Sequence, residues 1–239
     1  MLRLLRGGLP GSKGIDYALT HITANKEIDI PYSEETIREA VILLEEYPCL
    51  EGRAYRAIKA INTLTNKTDP DKWQEEAKTF QNAIKPVHEA GRLEAVLFQF
   101  PSSFTYTAEN RKYLDRLLRE FSGFPSVVEF QNNELSNSRV FDGLIKRGIV
   151  YVSTDLPDLQ GLPSILDIAT SPFSFFRLHG RNTEVRWDSE NSKRFDYFYN
   201  ETELKGIMER IKNIALNVDK VLVYFNNHMK GKAAQNAMS

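Results

Sequence analysis

The sequence predicts an α/β fold of the (β/α)8 type, a TIM barrel, and three observations predict it. Stretches of helical period alternate with short β-branched or aromatic runs at intervals of about 30 residues, the rhythm of a parallel sheet with helical crossovers. The chain's 239 residues fall just under the roughly 250 usual for such a barrel. No strand candidate leads into a Gly-x-Gly-x-x-Gly turn, so an open doubly wound sheet is only the runner-up. No Pro-, Gly- or Ser-rich linker divides the chain, and residues 1–239 are expected to form one domain.

Residues 14–23 form a short amphipathic stretch, and Lys26–Ile30 is a brief strand candidate closed by Pro31. Ser33 caps a helix with Glu34 and Glu35 in its first turn and Ile37, Val41 and Leu44 on its apolar face; Tyr47-Pro48 ends it. Ala54–Ala60 reads as a second strand, interrupted by Arg56 and Lys59. Asp69-Pro70 starts a helix that sets Trp73, Ala77, Phe80, Ile84 and Val87 on one face, with Gly91 just beyond its end. Glu94–Phe100, broken by Pro101, is the clearest strand of the chain.

The rhythm continues with a helix around Thr107–Phe121, a strand at Ser126–Phe130, a helix around Ser136–Arg147 ending at Gly148, and a strand at Ile149–Thr154. A Pro- and Leu-rich connection leads to a strand at Phe173–Leu178. Asn200-Glu-Thr-Glu203 then has the spacing of a capping box, and Leu204, Ile207, Ile211 and Val218 form a helical face. Lys220–Phe225 is the last strand, and Met229–Met238 closes the chain as a short helix. Seven strands result, one fewer than a complete barrel needs.

Composition narrows the class further. At 41% hydrophobic and 26% charged residues, the chain can bury a sizeable core and is neither disordered nor of low complexity. A formal net charge of −1 provides no global field for nucleic acid or an anionic membrane, so neither is an expected partner. The single cysteine, Cys49, excludes an internal disulfide framework and a cysteine-based zinc cluster and fits a reducing cytoplasm. No apolar run approaches the roughly 18 residues of a membrane span. The basic, apolar start Met1–Gly8 is too short for a signal peptide, so a mature cytoplasmic protein is expected.

In a parallel barrel the chemistry gathers at the carboxyl ends of the strands. Polar groups fall there repeatedly: Asp29, Lys59, Gln99, Glu129 with Gln131, Asp155, Arg177 with His179, and Asn226 with His228. Side chains alternate across a strand, so each of these pairs shares a face and is expected to point into the barrel mouth. Burying so many charged groups without a role is costly. The densest segment, Phe173–Asn182, feeds an apolar strand into Arg177, His179, Gly180, Arg181 and Asn182, a donor set suited to an anion. In the loop that follows, Trp187 and Tyr197 are candidates to cover a substrate, whereas Phe195 and Phe198 read as rings that pack the loop onto the rim. Asn226, Asn227 and His228, with Gly231 opening the last helix, suggest a second place for a phosphate.

Several of these segments carry a resemblance. Leu97–Phe104, Val128–Gln131, Thr154–Pro157, Phe176–Asn182 with Trp187, Arg194–Tyr199, and Phe225–His228 followed by Gly231, Ala234 and Asn236 resemble the YecE-like family, domain of unknown function 72 (DUF72), over roughly residues 54–238. The resemblance implies a TIM barrel, and it implies that Lys59, Gln99, Glu129, Asp155, Arg177, His179, Arg181, Asn182, Asn226, Asn227 and His228 belong to the family's polar site. It implies no reaction. The chain departs from the family in lacking a first strand that ends in Gly-Thr-Ser-Gly, so the barrel is expected to be incomplete or open there. It also carries Gln131, Leu135 and Asn66 where the family has Arg, Trp and His.

The leading expectation is an enzyme acting on a small anionic or phosphate-containing molecule. Glu129 or Asp155 would be the general base, His179 or His228 the general acid, and Lys59, Arg177 and Arg181 would stabilise negative charge. Gln99, Asn182, Trp187, Tyr197, Asn226 and Asn227 would bind substrate. No cofactor is expected. A metal-dependent hydrolase would take Glu129, Asp155, His179 and His228 as ligands, with the neighbouring cations opposing it. The same residues are also compatible with a non-catalytic ligand-binding paralogue, or with a glycosidase using Glu129 and Asp155 on adjacent strands.

Overall fold

The computed structural model describes residues 56–66, 68–184, 187, 192–227 and 229–239. The strand candidate Lys26–Ile30, the stretch 14–23 and the helix capped by Ser33 lie outside these residues. Six parallel strands follow one another in chain order across a single sheet: β1 (Arg56–Lys59), β2 (Leu93–Phe100), β3 (Ser126–Phe130), β4 (Val150–Asp155), β5 (Phe173–Leu178) and β6 (Lys220–Phe225). Their bounds lie within two residues of those read from the sequence. Between and after them run α1 (Trp73–Glu89), α2 (Ala108–Glu120), α3 (Ser138–Ile145), α4 (Glu201–Ala215) and α5 (Lys232–Met238). An extended connection without a helix joins β4 to β5.

The sheet curls into a half-barrel. In a flat sheet β2 and β6 would stand four strand spacings apart, about 19 Å, yet Lys220 of β6 forms an ion pair with Glu94 of β2. The concave face is filled by Ala95, Leu97, Val127, Val150, Val152, Phe175 and Leu222, and the convex face is packed by the helices. Every residue of β3 and β4 is buried, polar ones included, because each strand is covered on both faces.

The helices form where capping and apolar spacing agree. Thr107 caps α2 by accepting from the Asn110 N–H, and the expected box opens α4: the Asn200 side chain accepts from Glu203 N–H while the Glu203 carboxylate accepts from Asn200 N–H. In α1, Trp73, Ala77, Phe80, Ile84 and Val87 are all buried, as their spacing requires. Two boundaries differ. Asp69-Pro70 makes a turn, with the Asp69 carboxylate accepting from Asp71 N–H, and the helix proper begins at Trp73. Val218 lies beyond α4, which ends at Ala215. Among the described residues no helix is long and apolar enough to cross a membrane.

Candidate functional site

Alternation along β3, β5 and β6 sets Glu129, Arg177, His179 and Asn226 on the concave side at the carboxyl ends of the strands, in phase with Val127, Phe175 and Leu222 below them. Glu129 is fully buried and joins them: Arg177 Nη1 donates to Glu129 Oε2, and His179 Nε2 lies 3.2 Å from Glu129 Oε1. That second contact is off-line, so neither atom has a full hydrogen-bond partner among the described residues. The Asn226 amide donates to His179 Nδ1 at 3.0 Å. An amide N–H there makes Nδ1 the acceptor and leaves the ring proton on Nε2, facing Glu129.

The charges follow from this packing. Burial alone would raise the Glu129 carboxyl, but Arg177 and then His179 outweigh it and hold the group well below the usual carboxylate range. Burial pushes the His179 ring down, against the opposing pull of Glu129, so the imidazole is neutral at neutral pH. Lys59, at the end of β1, is exposed but stands inside the wall of the cup. Desolvation by that wall, then Arg177, lowers its ammonium to about 8, with Arg194 adding to the effect and Glu129 opposing it. Among the described residues no hydrogen bond or ion pair engages the Lys59 amine. Gln99 occupies the same face, in register with Glu129 on the neighbouring strand.

Asp155 does not join this cluster. Val150 and Val152 face the interior, so Tyr151 and Asp155 face the helical layer. There Asp155, wholly buried, accepts two hydrogen bonds from Arg181 at 2.7 Å, one from Arg210 Nη1 at 2.8 Å and one from Tyr199 Oη at 3.0 Å. Arg210 also pairs with Asp167, and Tyr197 Oη donates to Glu203. The expected catalytic role of Asp155 beside Glu129 is therefore corrected: the two carboxylates lie on opposite faces of the sheet. The glycosidase pair and the four-ligand metal set fail for the same reason, and Arg181 is committed to Asp155 rather than to the mouth. Among the described residues no three His, Cys, Asp or Glu side chains group as metal ligands.

The loop between β5 and α4 carries the remaining candidates. Gly180, at φ +96°, turns the chain where a Cβ would lie 2.5 Å from Tyr197 Cβ, and its N–H donates to Tyr199 Oη. Trp187 Nε1 donates to the Asn182 carbonyl, and the Asn182 amide donates to the Lys193 carbonyl, so both residues shape the loop. Asn227 is buried on the convex side, donating to Tyr197 O and Asn236 Oδ1. Tyr197 packs there as well, against Tyr199. His228 lies outside the described residues.

Two residues of the mouth are absent from the sequence-derived set. The ring of Phe195 lies 5.9 Å from His179 and edge-on to Trp187, so it covers the site rather than merely packing the rim. Phe198 is 49% exposed. Arg194 sits over the Phe195 ring, and its charge reaches both Lys59 and His179. The only signal for these two in the sequence was their place in the motif Arg194–Tyr199. An open cleft of about 730 Å³ at the other end of the sheet, lined by Ile145, Pro172 and Leu216 among others, holds none of these charges. Ligands of parallel sheets gather at the carboxyl ends, and the site is assigned there.

These features define an α/β protein with a curled parallel sheet and a charged cluster at the carboxyl ends of its strands. A family model described as "Protein of unknown function DUF72" matches residues 55–239, and the chain belongs to that family. The chain is 26% identical over 177 residues to the UPF0759 protein YunF of Bacillus subtilis; the match covers 70% of this chain but only 63% of that protein. Among solved structures, a DUF72 family protein from Thermotoga maritima is 31% identical, with a TM-score of 0.75 over 94% of this chain and 82% of that one. A DUF72 family protein from Enterococcus faecalis, 24% identical, shares the fold with a TM-score of 0.76 over 88% of this chain and 78% of its own.

Proposed function

We propose that this chain is an enzyme acting on a small carboxylate- or phosphate-bearing molecule held at the mouth of a TIM-type barrel, of which β1–β6 are six strands. The observation that carries the reading is the charge of the cup. Lys59, Arg177 and Arg194 surround one buried carboxylate, and His179 is neutral. Among the described residues the balance is cationic by two at neutral pH, which favours an anion and opposes a metal cation. Glu129 is a poor general base because Arg177 lowers its affinity for a proton, and it acts as the anchor that orients Arg177 and His179. Lys59, its ammonium lowered to about 8, is the group of the mouth proposed to exchange a proton. One domain in a reducing cytoplasm, with no nucleic acid partner, completes the reading; the lone Cys49 and the net charge of −1 support it.

A second reading, binding without turnover, is favoured by one observation: His179 is buried and its Nδ1 accepts from the Asn226 amide, which withdraws the ring from solvent. A thermal-shift panel of sugar phosphates and small carboxylates, with mass-spectrometric product analysis of each hit, separates the two. An enzyme gives stabilisation with new product, and stabilisation without product supports the binding protein. No stabilisation by any anion rejects both.

A further inference from the structure

We propose that the ε-amine of Lys59 is a nucleophile that forms a reversible imine with an aldehyde or ketone carried on a small anionic substrate. The inference rests on the anion-site reading above and goes further, to the reacting group and the substrate class. Four observations carry it. The amine stands at the carboxyl end of a parallel strand and is solvent-accessible. Among the described residues it is tied up by no hydrogen bond or ion pair. Glu129, the carboxylate of the cup among the described residues, is already bound to Arg177 and so does not fix Lys59 as an ammonium. The charges of Arg177 and Arg194 both reach the amine, and the hydrogen bond to Glu129 uses one of the five N–H donors of Arg177.

The arrangement meets both demands of amine catalysis at once. Neighbouring cations and a partly desolvated wall favour the neutral amine, and the same cations hold the anionic end of the substrate. In the reaction the nitrogen lone pair forms a bond to the carbonyl carbon while a proton passes from nitrogen to the carbonyl oxygen. The hydroxyl of the resulting carbinolamine then leaves as water, taking the remaining N–H proton, and the nitrogen lone pair closes the C=N bond. Addition of water reverses the sequence and regenerates Lys59.

Pyridoxal 5′-phosphate is a suitable probe, because it carries an aldehyde and a phosphate. The full chain is incubated with it at pH 7.5, the imine is reduced with borohydride, which delivers hydride to the imine carbon, and the labelled peptide is mapped. At that pH an amine of pKa about 8 holds far more of its neutral form than an ordinary lysine. Lys59 is expected to label at least about tenfold faster than exposed Lys72 and Lys205, and inorganic phosphate is expected to suppress the labelling. Lys59→Met and Lys59→Arg, which break no described bond, should fold as the wild type does and lose the label. Labelling spread evenly over exposed lysines overturns the imine proposal. If phosphate still raises the melting temperature of the wild type but not of Lys59→Met, the anion site stands and only the imine fails; if phosphate stabilises neither protein, both readings fall.

Discussion

Glu129 is the residue on which the site turns, since a buried carboxylate is tolerated only with partners, and its partners are Arg177 and His179. Glu129→Gln leaves the Arg177 charge buried without its counter-ion and is expected to lower the unfolding free energy at pH 7 by about 3–5 kcal/mol, measured by urea denaturation. The pH dependence has a definite sign. The folded-state Glu129 carboxyl lies below its unfolded value of 4.5, so its contribution is complete above about pH 4.5 and is lost as the pH falls through the depressed value. His179, lowered from 6.5, likewise favours the folded state only where the unfolded ring is also neutral, and its contribution declines as the pH falls below about 6.5. Wild-type stability should therefore fall from pH 7 to pH 4, with a flatter acid limb below 4.5 in Glu129→Gln; identical profiles would refute the assigned pairing. Sequence reasoning brought Glu129, Arg177 and His179 together because residues two apart on a strand share a face. It misplaced Asp155 because β4 is buried on both sides, with polar residues on each, so its sequence does not reveal which side is concave.

The element that shapes the mouth is the loop from Gly180 to Tyr199. Its two ends are fastened to the convex side: Gly180 N–H and Asp155 both bond the Tyr199 hydroxyl, and Asn236 of α5 holds the Tyr199 backbone at both its N–H and its carbonyl. Between these anchors the loop lays Phe195 and Arg194 over His179. The buried Asp155–Arg181–Arg210 network thus serves the site indirectly, by holding the loop that covers it. Gly180→Ala would add a Cβ 2.5 Å from Tyr197 Cβ at a φ of +96°, and a loss of about 1–3 kcal/mol in unfolding free energy is expected. Near-UV circular dichroism should show the displaced Tyr197–Tyr199 pair, while a variant indistinguishable from wild type in both measurements would contradict the anchoring. The strands and helices were legible in the sequence because their apolar periods and caps are local signals, as the Asn200–Glu203 box illustrates. The loop was not, because its geometry depends on Asn227 and Asn236, which meet it only after β6 has been laid in the sheet.

At the scale of the whole molecule, curling brings residues from β1, β3, β5 and β6 within reach of one another. The Lys220–Glu94 ion pair marks the same closure at the amino ends of the strands, where β2 and β6 meet. In a flat sheet Lys59 and Arg177 would stand four strand spacings apart, and the cationic cup would not exist. A net charge of −1 for the chain conceals this local excess, which is why composition gives no signal for an anion while the strand ends point to a small one. The most direct test of that anion site is calorimetric titration of inorganic phosphate into the full chain at pH 7, beside Lys59→Met. The account predicts saturable binding of one phosphate per wild-type chain, weakened at least about tenfold in the variant; absent binding, or equal binding by both proteins, would contradict it.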